Sequence, residues 1–97
     1  MLSFLPKTPR DILQELKESF KVRRQIFGYT QKELAMRSGV SLGSLKRFEH
    51  TGQISLESLL KLALVLECLE DFSDVCKNRE EKFGSIDEVL MAEEENC

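Results

Sequence analysis

The stretch Thr30–Gly52, TQKELAMRSGVSLGSLKRFEHTG, decides how this chain folds. Thr30 followed three residues later by Glu33 is a capping box, so a helix starts at Gln31. Leu34 and Ala35 form its buried face. Gly39 follows Ser38 where a left-handed C-cap is needed. Val40 is apolar, and Ser41 can cap a second helix. Leu45 and Phe48, three apart, share one face of that helix and point into a core. Ser44, Lys46 and Arg47 stay on the other side. Two helices joined by so short a turn cross steeply, and the second can enter a DNA major groove.

Further helix is expected on both sides. Thr8-Pro9-Arg10-Asp11 supplies a capping residue, Pro at the first helical position and an acid in the first turn. The spacing predicts a first helix from Pro9 to about Phe27. Its inner edge is Ile12, Leu13, Leu16, Phe20, Arg24 and Phe27, and Lys17, Lys21, Arg23 and Arg24 make it basic. Ser55 caps a fourth helix, expected from Leu56 to about Leu69. Leu56, Leu59, Leu60, Leu62, Ala63, Leu64, Val65, Leu66 and Leu69 make more than one apolar stripe. One side would pack on the helix pair; the rest calls for the C-terminal segment or a second subunit. Asp71–Lys77 reads as a short fifth helix carrying Phe72, Val75 and Cys76. Ser85 and Glu88 form another capping box, opening a short helix with Ile86, Val89 and Leu90 on one side. The division expected is a lead-in at 1–8, a helical domain at 9–77 and an acidic segment at 78–97. Met1–Leu5 reads as a frayed end or a partner-pairing strand, and Glu93–Cys97 as a frayed terminus.

The 97 residues suit one small domain, and 41% apolar residues is a globular composition. The net charge of −3 argues against nucleic acid, but its distribution argues for it. Residues 1–55 hold ten Lys/Arg and five Asp/Glu, a net of +5. Residues 56–97 hold four and twelve, a net of −8. A basic front half suits a module that meets phosphate on one face; the acidic half reads as a solubilising or partner-facing segment. Cys68, Cys76 and Cys97 are an odd count with no CxxC or Cys/His cluster, which suggests free thiols in a reducing cytoplasm and no metal. MLSFL, broken by Pro6, is too short for a secretory signal, and Leu62–Leu66 is too short to span a bilayer. No catalytic constellation is present: His50 is the only histidine and pairs with no obvious nucleophile. The glycines form no phosphate-cradling loop, so neither enzyme activity nor a cofactor is expected.

At Gln31, Leu34, Ala35, Gly39, Val40, Ser41, Leu45, Phe48, Glu49 and Gly52 the chain resembles the Cro/CI-type (Xre) helix-turn-helix repressors. It departs from them in two places. His50 and Thr51 separate Glu49 from Gly52 where many members have one residue. Leu42-Gly43 open the second helix where polar base readers are common. The resemblance implies an all-α, lambda-repressor-like bundle of about five helices. It also implies a repressor that binds double-stranded operator DNA as a homodimer. The segment at residues 45–66, LKRFEHTGQISLESLLKLALVL, is similar to HipB-like antitoxin repressors, which implies a HipA-type toxin as partner.

Roles follow by position. Gln31 and Lys32 stand at a helix N-terminus, suited to a phosphate, the alternative for Gln31 being that it merely caps its helix. Ser41 and Ser44 lie in the first turn of the second helix, Ser41 as a cap or a contact. Leu42 could meet a thymine methyl, and Gly43 would let backbone approach. Lys46 and Arg47 follow one turn on, with Arg47 able to bond the O6/N7 edge of guanine twice. Arg23, Arg24 and Arg37 could be phosphate neighbours or solvated charges. The rival readings are a stand-alone phage-type or regulatory repressor, and a helix-turn-helix used only between proteins.

Overall fold

The computed structural model describes residues 6–77; the expectations for 1–5 and for 78–97 lie outside the described residues. Four α-helices and one 3-10 helix follow in order: α1 Pro9–Ile26, α2 Gln31–Ser38, α3 Leu42–Thr51, α4 Leu56–Val65 and the 3-10 helix Leu69–Asp74. No strand occurs among the described residues.

Each α-helix starts at a side chain that takes up a free backbone donor. Thr8 and Thr30 accept from the N–H of Asp11 and Glu33, whose carboxylates accept in return from Thr8 and Thr30 at 3.0 and 2.8 Å. Ser41 and Ser55 cap α3 and α4 through Ser44 and Ser58. At the other ends, Gly39 and Gly52 take the left-handed conformation, with φ of 79° and 86°.

The core is Phe20 from α1, Leu34 and Ala35 from α2, Val40 from the turn, Leu45 and Phe48 from α3, and Leu59, Leu62, Ala63 and Leu66 from α4. Phe20 meets Phe48 edge-on at 5.6 Å between ring centroids, and Phe72 at 6.3 Å. α2 packs on both α3 and α4, α1 lies against α3, and the 3-10 helix covers the end of α4. α3 is thus held from two sides, with its third side left to solvent.

Three boundaries differ from the sequence expectation. α1 ends at Ile26, with Phe27 as its cap. α4 stops at Val65 instead of running to about Leu69. The reason is Glu67, which sits at φ 60° and closes a left-handed turn: its N–H bonds to Leu64 O, and the Cys68 N–H bonds to Ala63 O at 2.9 Å. Arg23 of α1 reaches across to donate to the carbonyls of Leu66 and Glu67, which the ended helix leaves free. The fifth element is consequently a 3-10 helix at Leu69–Asp74, not an α-helix at Asp71–Lys77. Ile12 and Leu13, expected on the inner edge of α1, remain 42% and 40% exposed. Leu13 lies where the chain passes Gly52; a Cβ added at Gly52 would stand 3.1 Å from the Leu13 carbonyl oxygen. Gly52 is therefore required twice, by its φ and by this approach.

Candidate nucleic-acid interface

α3 sorts its residues sharply. Leu45 and Phe48 are buried at 1% exposure, while Gly43, Ser44, Lys46, Arg47 and His50 face solvent. Ser41 caps the helix by accepting from the Ser44 N–H at 3.1 Å, and its own hydroxyl donates to Ser44 Oγ at 2.9 Å. That leaves the Ser44 hydroxyl proton free to point outward. Leu42 is half-buried against the core. Around Gly43 nothing lies within 4 Å of an added Cβ, so the start of α3 is open to close approach.

Arg47, exposed on the next turn, donates through Nη2 to Gln53 Oε1 at 2.6 Å. Ser44, Arg47, Gln53, Ile54, Ser55 and Ser58 line a polar cleft of about 310 Å³ between α3 and the start of α4. At the adjoining helix start, Lys32 is exposed on α2. Gln31 is half-buried, and its amide donates to Glu49 Oε1 at 2.9 Å. One of its donors is thereby committed inside the protein. The other N–H remains for a phosphate.

Arg23 and Arg24 are tied inward. Arg24 grips Glu49 twice, Nε to Oε2 at 2.8 Å and Nη2 to Oε1 at 3.1 Å, and also donates to Tyr29 O at 2.9 Å. The two side chains are 11% and 6% exposed. A bidentate pair this enclosed is strong in geometry and joins three helices, because Gln31 shares the same carboxylate. Arg23 serves the end of α4, and Arg37 stacks over the Tyr29 ring at 4.6 Å. The C-terminus of α3 is fastened by α1, through Gln14 Nε2 to Thr51 O at 3.2 Å and Lys17 Nζ to His50 O at 3.4 Å. The Thr30 backbone N–H, with its hydroxyl, holds the Glu33 carboxyl below its ordinary pKa. That keeps an anion at the start of α2, where it satisfies the helix end.

Of the residues expected from sequence, Ser41, Gly43, Ser44, Lys46 and Arg47 come together on one exposed face of α3, with Lys32 at the start of α2. Sequence reasoning missed Gln53, Thr51 and the structural role of Glu49. The unusual spacing of Glu49 and Gly52 was the signal that could have found the first two.

A family model described as helix-turn-helix matches residues 20–72, more than half of the chain and the whole of α2, α3 and α4. The chain belongs to the Cro/CI-type (Xre) helix-turn-helix family. Neither curated proteins nor solved structures return a match. The all-α bundle is the lambda-repressor-like arrangement of this family, with α2 and α3 as its helix-turn-helix, and the protein is a DNA-binding transcription regulator. Among the described residues, no helix of this helix-turn-helix protein is long and apolar enough to cross a membrane.

Proposed function

We propose that the protein is a sequence-specific repressor that binds double-stranded operator DNA as a homodimer, with α3 in the major groove. The observation that carries this is the division of α3: its apolar residues are spent in the core, and Ser44, Lys46 and Arg47 project from the one side of the helix that no other described element covers. In this reading Arg47 bonds a guanine edge, Ser44 a base edge or phosphate, and Lys46 the backbone. Lys32 and the free donor of Gln31 meet a phosphate at the start of α2. Ser41 acts as the cap that orients Ser44, and Gly43 admits the backbone. Leu42 serves chiefly as packing. The DNA-binding unit is residues 9–77, and the acidic segment 78–97 stays off the phosphates by charge.

For the dimer, the support is apolar surface exposed on the described residues. Leu56 and Leu64 on α4 are 66% and 63% exposed, two helical turns apart with half-buried Leu60 between them. Beyond α4, Leu69 and Phe72 turn inward against the core, and Val75 is exposed. A HipB-like antitoxin role rests on the segment at residues 45–66 alone, and a toxin gene beside this one is the observation that would carry it.

The test is binding to duplex DNA from the protein's own promoter across a salt series. Two half-sites about 34 Å apart are expected. Each phosphate neutralised releases counterions, so affinity should fall steeply with salt. Affinity that stays flat from low to physiological salt sinks the DNA reading, and a clean monomer at full operator occupancy sinks the dimer.

A further inference from the structure

One residue outside the helix-turn-helix pair is built onto its reading face. α3 runs through Thr51, so two residues separate Glu49 from the capping Gly52. Two things follow. The Thr51 hydroxyl donates back to the Arg47 carbonyl at 2.7 Å, and the same oxygen accepts the Gln53 backbone N–H at 3.1 Å. Between them the buried Gly52 reverses the chain against Leu13, and Gln14 holds the Thr51 carbonyl. Gln53 is therefore not a loose loop residue. Its backbone is anchored to the helix turn that carries Arg47, and its side-chain oxygen accepts from the Arg47 guanidinium at 2.6 Å.

We infer that Gln53 is a specificity-determining positioning residue, which holds the Arg47 guanidinium in one plane for two-bond recognition of a guanine. The inference rests on the proposed role of Arg47 as base reader. A guanidinium carries five N–H donors in a rigid fork; the bond to Gln53 uses one and leaves enough for the O6 and N7 acceptors of guanine. A free arginine would lose rotamer freedom on binding the right base. An arginine already held by Gln53 has lost much of that freedom before DNA arrives, so more of the bidentate energy appears as discrimination. Gln53 and Arg47 both line the cleft between α3 and α4 together with Ser44, so the clasp lies beside the residues proposed to read the groove.

The experiment is selection from a randomised operator, with affinities across salt for wild type, Gln53→Ala, Gln53→Glu, Arg47→Ala and the double variant Arg47→Ala/Gln53→Ala. Thermal melts confirm that each is folded; both side chains are exposed, so the melts should agree. Gln53→Ala is expected to lower the preference for guanine at the Arg47 position by about three- to tenfold, the worth of one immobilised side chain. Its salt slope and its affinity for unrelated DNA should not change. Gln53→Glu keeps the acceptor and should keep the base preference, although its charge weakens binding to every sequence. In the double variant, loss of Gln53 should add nothing to the loss of discrimination already caused by Arg47→Ala. If Gln53→Ala weakens all sequences equally while Arg47→Ala relaxes one position, Gln53 is an ordinary backbone contact. The inference then fails and the reading of Arg47 stands. If Arg47→Ala leaves the preferred sequence unchanged, the base-reader role itself is wrong and the inference falls with it.

Discussion

Two arginines in this small protein each have a hydrogen-bonded partner, and they do opposite work. Arg24 is enclosed against Glu49, with three of its nitrogens engaged by Glu49 and Tyr29. Arg47 is exposed and engages Gln53 through one nitrogen, with donors left over. The residue type is the same; the number of donors already used and the access to solvent decide the role. Arg24 has little to offer a phosphate and much to lose if its partner is removed. Arg47 has little to do with the fold and keeps unused donors for the base contact proposed above. Basic residues near a recognition helix are thus not interchangeable evidence for DNA contact.

The largest effect should come from breaking the inner pair. Glu49→Ala leaves the Arg24 guanidinium enclosed without its counter-charge and removes the acceptor of Gln31. A loss of about 3–5 kcal/mol in unfolding free energy is expected, read from urea denaturation. A loss under about 1 kcal/mol would show that water reaches Arg24 and that the enclosed pair does not hold the fold.

Next in size is the chain reversal that keeps the two regions apart. Gly52→Ala forces a side chain into a left-handed conformation and against the Leu13 carbonyl. It should cost about 2 kcal/mol in stability. A neutral result would mean that the α3–α4 turn relaxes freely, and the anchoring of Gln53 would be lost as an argument.

The outer arginine should behave in the reverse sense. Arg47→Ala should change stability by no more than about 0.5 kcal/mol. It should still cost about 1–3 kcal/mol in operator binding and relax one base position. Lys32→Ala sharpens the contrast between reading and holding. It should weaken all sequences alike and lower the salt slope by about one, which titrations at several salt concentrations would detect. A change in base preference for Lys32→Ala would contradict its place on the phosphate backbone.

The smallest effect is expected at acid pH. The Glu33 carboxyl titrates below its ordinary value because the folded state bonds its charged form. Its contribution is therefore present above that pH and is lost as pH falls through the lower folded value. Glu33→Gln keeps a capping side chain without the proton dependence, so its stability curve should be flatter over that acid range. Equal slopes for the two proteins would show that the capping bond is not maintained in solution.

Much of the helix-turn-helix was legible locally. The cap at Thr8, the capping box at Thr30, the turn at Gly39 and the burial of Leu34, Ala35, Leu45 and Phe48 depend on residues within one or two turns of each other. Composition and spacing carry that kind of information directly. The exposed face of α3 follows by subtraction, since residues not spent in the core must point outward.

Other features could not be read that way. α4 ends at a left-handed Glu67, a position where the sequence shows no glycine, and the freed carbonyls are satisfied by Arg23 more than forty residues away. Arg24, Glu49 and Gln31 come from three helices, so nothing in the local pattern tells an enclosed Arg24 from an exposed Arg47. The surroundings of Leu42 and Gln53 have the same origin: the core claimed part of the first, and the reversal at Gly52 brought the second beside Arg47. The sequence by itself determined where helices begin, which residues of α2 and α3 are apolar and which side of α3 is polar, because backbone capping and helical periodicity are short-range. Only the tertiary structure decided which charges are enclosed, where α4 stops and which polar side chains share a cleft. Those outcomes depend on side chains from distant parts of the chain competing for the same donors, acceptors and space.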